Sequence, residues 1–253
     1  YGKGDIREPF LEVVHADGSF TSDFLYDSFE ITETKQEQET EFLLPGSYSE
    51  DGRVEHLCMR LRDKGYGLLL ELHYFVYPEC DVITRSARLV NESGEEVTVK
   101  RLMSLQLDFV EQDFILTTFN GCWVREMKRT DTRLQAGKHV NASYAGISSS
   151  RANPFVMLSR EHTTEDAGDC YGLNLIYSGN HYEAAEVSGF GKTRIVTGIN
   201  PQSFSWLLPP GQAFEAPEAV MTFSHQGFNG MSGHMHRFVR EHIVRGVWKR
   251  KQR

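Results

Sequence analysis

The stretch Val97-Thr98-Val99-Lys100-Arg101-Leu102-Met103-Ser104-Leu105-Gln106-Leu107-Asp108-Phe109 places Val97, Val99, Arg101, Met103, Leu105, Leu107 and Phe109 on one face at a period of two. Side chains alternate across a strand, so this pattern reads as one half-buried strand. It is longer than the usual strand of about five or six residues. Immediately before it, Val82 to Val90 forms a second run, closed by the turn Asn91-Glu92-Ser93-Gly94-Glu95. Earlier still, Val54 to Leu61 and Leu68 to Val76 flank Asp63-Lys64-Gly65-Tyr66-Gly67, which reads as a hairpin. Further strands are expected at Pro154 to Arg160, Tyr171 to Tyr177, Arg194 to Gly198, Phe204 to Leu208 and Ala219 to Phe223. Many strands separated by turn residues point to two packed antiparallel sheets rather than alternating strands and helices.

The period changes near the end. Met231, Met235, Phe238, Val239, His242 and Ile243 recur at spacings of three and four, which predicts one helix over Asn229 to Val244. Asn229 is its expected N-cap and Gly246 its expected stop. A mainly β body over residues 1–228 thus gives way to a helix and linker over 229–253. No internal repeat or low-complexity linker divides the chain.

The 253 residues suffice for one large β domain that needs neither disulfide nor metal to hold its core. A net charge of −8 argues against nucleic-acid binding, which depends on neutralising phosphates. The basic run Lys249-Arg250-Lys251-Gln252-Arg253 reads as a solvated chain end. No apolar run approaches the roughly eighteen residues of a membrane span, and no signal peptide is visible. The start at Tyr1 suggests a piece of something longer. Cys58, Cys80, Cys122 and Cys170 stand far apart, so a zinc ribbon or redox pair is not expected, and reduced thiols in a cytoplasmic protein are. Asn91-Glu92-Ser93 and Asn141-Ala142-Ser143 match the glycosylation pattern, which three residues meet easily by chance.

Four places could carry chemistry. Asp108, Glu111 and Asp113 offer carboxylates at a strand end; glycoside hydrolysis needs two such groups roughly 5 to 9 Å apart. A polar strand end is the simpler account, because nothing nearby would raise a pKa. His234, His236 and His242 fall on the helix, but His234 and His236 are two apart and diverge, so a partly exposed helix face is expected and no metal. Gly189-Phe190-Gly191-Lys192-Thr193 ends like a phosphate loop yet lacks the first glycine, and reads as a hairpin turn. Phe119-Asn120-Gly121-Cys122-Trp123-Val124-Arg125-Glu126 places an indole in a turn-prone stretch, where its face suits the C–H patch of a sugar and Arg125 and Glu126 can reach hydroxyls. From composition alone, a core tryptophan is the stronger reading.

Ordered blocks across the chain carry a resemblance. They are Asp81-Val82-Ile83-Thr84-Arg85-Ser86-Ala87-Arg88, Gly121-Cys122-Trp123 with Arg125-Glu126, Asn153-Pro154-Phe155, Tyr171-Gly172-Leu173 and Tyr177-Ser178-Gly179-Asn180. Gly198-Ile199-Asn200-Pro201, Phe204-Ser205-Trp206-Leu207-Leu208, Pro210-Gly211 and Gly230-Met231-Ser232 complete the set. Together they resemble the N-terminal domain of glycoside hydrolase family 36 α-galactosidases. The resemblance implies an antiparallel two-sheet β-supersandwich, like the galactose mutarotase domains, with a C-terminal connecting helix. It implies that a (β/α)8 barrel carrying both catalytic aspartates follows Arg253, and that this chain alone is inactive. It also implies a missing segment before Tyr1 that contributes polar contacts near the sugar.

The resemblance reverses the reading of Trp123. It implies that Trp123, with Arg125 as a weaker candidate, lines a galactose site in a neighbouring subunit of a homotetramer. Cys122 departs modestly from the small residue expected there. No catalytic residue, cofactor or metal is expected in this chain. The implied parent is a retaining enzyme acting on α-galactosides of the melibiose and raffinose type, with this chain assisting oligomerisation. The alternative is a stand-alone carbohydrate-binding or scaffolding module.

Overall fold

Alternating apolar residues, interrupted by turns, produce sixteen strands among the described residues of the computed structural model, which are 6–35 and 44–250. In chain order they are β1 (Leu11–Val14), β2 (Leu25–Thr34), β3 (Arg53–Asp63), β4 (Leu68–Tyr77), β5 (Val82–Asn91), β6 (Val97–Phe109), β7 (Ile115–Cys122) and β8 (Arg125–Arg133). β9 (Gly137–Ala142), β10 (Ala152–Ser159), β11 (Cys170–Leu175), β12 (His181–Val187), β13 (Thr193–Ile199), β14 (Trp206–Leu208), β15 (Ala213–Glu215) and β16 (Ala219–Ser224) complete the set. A five-stranded sheet runs β1-β6-β13-β12, with β14 also on β6. A ten-stranded sheet runs β2-β3-β4-β5-β16-β11-β10-β7-β8, with β15 also on β5. Every strand pairing within them is antiparallel.

The core lies between the sheets in two clusters, and β6 lines both. Val97, Val99 and Leu102 meet Leu68, Leu70, Leu72 and Leu89 in one. Leu105 meets Phe114, Leu116, Leu158, Leu173 and Ile195 in the other, with Leu107 and Phe109 packed against it. The sequence period therefore holds at both ends of β6 and fails in the middle. Opposite β1, Arg101 pairs with Glu12 and Val99 with Val13, leaving Lys100 as an extra residue. Opposite β13, Leu105 pairs with Thr197 and Met103 with Gly198, leaving Ser104 as another. Each bulge shifts the alternation by one. Leu102 thus turns inward, while Arg101 pairs with Glu8 and Glu12 and Met103 joins Tyr182, Ala184 and Val196 on the far face.

The helix begins earlier than Asn229. α1 spans Gly227–Phe238, and its N-cap position is Gln226, without a side-chain cap. The Asn229 side chain instead donates to Asp166 at 2.9 Å. After α1 the coil widens into a π turn, Val239–Ile243, and Gly246 takes a left-handed φ of 63°, as a C-terminal stop should. The short α2 (Val247–Arg250) follows. Met231, Met235 and Phe238 pack on the outer face of the ten-stranded sheet against Tyr77, Cys80, Val82 and Val220. His242 is 8% exposed, on the face it shares with Met235 and Phe238, so this member of the histidine stretch does not lie on a partly exposed face. Lys249 is held by the Glu241 carbonyl and by Glu50, and residues 251–253 of the basic run lie outside the described residues, as does Tyr1. No helix among the described residues is long and apolar enough to cross a membrane.

Candidate functional site

β7 and β8 were not visible as apolar alternation, because β8 is exposed along nearly its whole length and forms one edge of the ten-stranded sheet. They pair from Ile115↔Arg133 to Cys122↔Arg125, leaving Trp123 and Val124 as the two residues of the turn. The interior reading of Trp123 is overturned: the indole is 88% exposed at the hairpin tip. Arg125 closes the turn opposite Cys122 and is exposed.

The tip is held in an unusual backbone. Val124 has φ 66° and Met127 φ 55°, in the left-handed region that a β-branched residue rarely enters. Such a conformation costs about 1–3 kcal/mol and persists only where its surroundings over-determine it. Here the Val124 N–H donates to Glu126 Oε1 at 2.9 Å, and Asn153 Nδ2 lies 3.2 Å from Met127 Sδ. A Cβ on Gly121 would run into the Arg125 carbonyl oxygen, so only glycine fits beneath the turn. Glycine, strained valine and glutamate together fix where the indole stands.

The other candidates resolve as structure. Asp108 receives two bonds from Arg194, at 2.8 and 3.0 Å, and a third from Arg7. Burial alone would raise its pKa, but these guanidinium groups bring its carboxyl below the ordinary value, which suits an ion pair and not a proton donor. Glu111 pairs with Arg160, and Asp113 sits at φ 71° near Arg133. His234 Nδ1 lies 3.0 Å from Thr222 Oγ1, and His236 is exposed. The loop Gly189 to Lys192 joins β12 to β13 as a tight turn, with the Ser188 carbonyl accepting from Gly191.

Both sequon asparagines are interior. Asn91 donates to the Glu95 and Leu208 carbonyls and is fully buried. Asn141 donates to Asn153 O and to Glu183, leaving no room for a glycan. Glu183 lies 2.8 Å from His181 Nδ1 in the interior. Burial drives the Glu183 pKa up, against the pull of His181 and Asn141. Burial would lower that of His181, but the bond and charge of Glu183 win and raise it. The four cysteines are free, and only Cys122 is exposed.

Residues 1–209 match the glycosyl hydrolase family 36 N-terminal domain, and residues 213–253 match the melibiase family. The chain is 37% identical to α-galactosidase AgaA of Geobacillus stearothermophilus, over the whole chain and 34% of that protein. It is 34% identical to α-galactosidase C of Emericella nidulans, over the whole chain and 33% of that protein. Its fold superposes with a TM-score of 0.96 and 37% identity on a variant of the Geobacillus enzyme crystallised with raffinose, covering 35% of that chain. The galactosidase domain of an α-galactosidase–sucrose kinase matches with a TM-score of 0.93 and 33% identity, again over the whole chain and 35% of the other. The chain spans about a third of the length of these relatives. A mainly β chain of two antiparallel sheets, matched over residues 1–209 by that model, belongs to the N-terminal domain family of glycoside hydrolase family 36.

Proposed function

We propose that the chain is the non-catalytic N-terminal part of a retaining α-galactosidase and that its β7–β8 tip completes a sugar pocket built elsewhere in the assembly. The observation that carries this reading is the 88% exposure of Trp123 on a backbone strained to hold it. A sugar site is concave and buries most of its ligand, whereas this indole stands on a projecting turn. Its walls must come from another segment or chain, and the helix and linker over 229–253 would lead to the (β/α)8 barrel that supplies them. Arg125, exposed beside it, would reach a hydroxyl of the same sugar.

The substrates would be terminal α-galactosides of the melibiose and raffinose type; the relatives crystallised with raffinose and stachyose support that class. Both carboxylates of the double displacement would belong to the barrel. The opposite edge of the ten-stranded sheet supports assembly with neighbouring subunits, as a homotetramer. β2 presents Leu25, Tyr26, Phe29 and Ile31, each more than half exposed, along an edge strand that an isolated domain would protect. A reducing, cytoplasmic location accords with the four free thiols.

The experiment is hydrolysis of a chromogenic α-galactoside by this chain and by the same chain continued through a barrel. Activity only in the longer protein is expected. Activity in the isolated chain overturns the assignment, and tight galactoside binding by the isolated chain would favour a stand-alone binding module.

A further inference from the structure

The turn Pro78–Cys80 at the end of β4 and the π turn Val239–Ile243 lie about 160 residues apart in sequence and meet at the outer face of the ten-stranded sheet. Four donors converge there: a carboxylate oxygen each of Glu79 and Glu241, Cys80 Sγ and His242 Nε2, all within 4.8 Å of one another. Cys80 Sγ is 3.8 Å from Glu241 Oε2 and 3.9 Å from Glu79 Oε1, and His242 Nε2 is 2.7 Å from Glu79 Oε1. With zinc–ligand bonds of about 2.0–2.3 Å, the edges of a tetrahedral site measure roughly 3.4–3.6 Å. The sulfur edges are already close to that size. The His242–Glu79 edge must open by less than about 1 Å, and the remaining edges, all within 4.8 Å, need at most a comparable contraction of about 1.5 Å.

The surroundings orient these donors. His242 Nδ1 lies 2.8 Å from the Tyr48 carbonyl, so it donates there and Nε2 faces the cluster. Arg237 occupies Glu241 Oε1 at 3.3 Å and leaves Oε2 toward the thiol. The π turn, closed by Val244 N–H to the Val239 carbonyl at 2.9 Å, brings the neighbouring Glu241 and His242 to one side. Cys80 is buried to 1% exposure, while Glu79 and Glu241 are each 41% exposed and give an ion a way in.

We propose that Glu79, Cys80, Glu241 and His242 bind one zinc-class divalent cation, which clips the connecting helix to the sandwich. A thiolate and an imidazole select a borderline cation over calcium or magnesium, which take oxygen donors. Four protein donors close the site, so its role is structural. Binding replaces the Cys80 thiol proton, and any proton on His242 Nε2, with metal–ligand bonds, and those protons pass to solvent. The clip does not depend on the galactosidase assignment.

The test uses the chain without an affinity tag, stripped with chelator, in a Cys122→Ser background so that the exposed thiol cannot compete. Cobalt chloride should bind one equivalent, with the visible absorption of tetrahedral cobalt and a thiolate-to-cobalt charge-transfer band. Zinc chloride should displace it and raise Tm by about 5 °C or more at saturation. Cys80→Ser should abolish the charge-transfer band, and Glu79→Gln, at an accessible position, should weaken binding about tenfold. Absence of the band in the Cys122→Ser chain, or its survival in Cys80→Ser, overturns the site. An unchanged Tm with the ion bound overturns the clip.

Discussion

Two tryptophans of this chain show what the sandwich does with the same side chain. Trp206 sits on β14, pairs with Val99 across β6 and packs against Phe214, with ring centroids 5.4 Å apart, at the margin of the inter-sheet core. Trp123 stands on a two-residue turn, touches little of its own chain and needs a strained valine to stand there. One indole stabilises the fold through buried area. The other costs stability locally and leaves its area exposed. Strain at an exposed aromatic does not help folding, and that is the support for proposing the hairpin tip as a binding element.

That contrast can be broken by substitution. Trp206→Ala should cost about 3 kcal/mol of unfolding free energy, the low end for a large aromatic because the ring is only partly buried. Urea unfolding measures it, and a loss below about 1 kcal/mol would remove Trp206 from the core.

Acid should act on the interior as well. Burial, helped by the charge of His56, lowers His73 to about 4, against 6.5 for the free side chain. The folded-state value lies below the unfolded one, so between these limits the unfolded chain takes up a proton that the folded chain refuses. Stability is therefore whole above pH 6.5 and falls as pH drops toward 4. The loss at pH 4.5 is roughly 2–3 kcal/mol, and His73→Leu should remove most of it. Equal pH dependence in that variant would exclude His73 as the sensor. Glu8, Glu71 and Glu218 act lower on the scale. Burial would raise each, but Lys138 and Arg101 around Glu8, Arg88 and Arg60 around Glu71, and Lys35 beside Glu218 hold them down. Their contribution is present above the unfolded carboxylate range and is lost as pH falls through the folded values.

At the tip the effects move from stability to activity. If the chain is part of an α-galactosidase as proposed, Trp123→Ala in the protein continued through its barrel should lower kcat/KM about tenfold, equivalent to about 1.4 kcal/mol, with Tm unchanged. Unchanged kinetics would separate the hairpin from the sugar. The smallest effect is expected for Val124→Gly, which relieves the left-handed backbone and should add about 1 kcal/mol of stability. A loss of stability there would show that the valine side chain, and not its backbone, holds the turn.

Most strands that carry the core were legible: β3, β4, β5, β6, β10, β11, β13, β14 and β16 fall on the expected runs, since residues facing the core must be apolar, while the buried β12 was not foreseen. β8 was not, because a strand exposed on both faces has no apolar period to read. The bulges at Lys100 and Ser104 were hidden for another reason. A bulge depends on the partner strand, and β1 and β13 are distant in sequence.

The sequence by itself determined the two-sheet class, the helix that ends it and the family, because periodicity and ordered motifs are local properties of the chain. Composition left Trp123 in the core and only the resemblance moved it outward; the tertiary structure decided its full exposure, the burial of both sequon asparagines and the meeting of Cys80 with His242. Burial and convergence arise from contacts between separate segments, up to about 160 residues apart at Cys80 and His242, and no short window of sequence contains them.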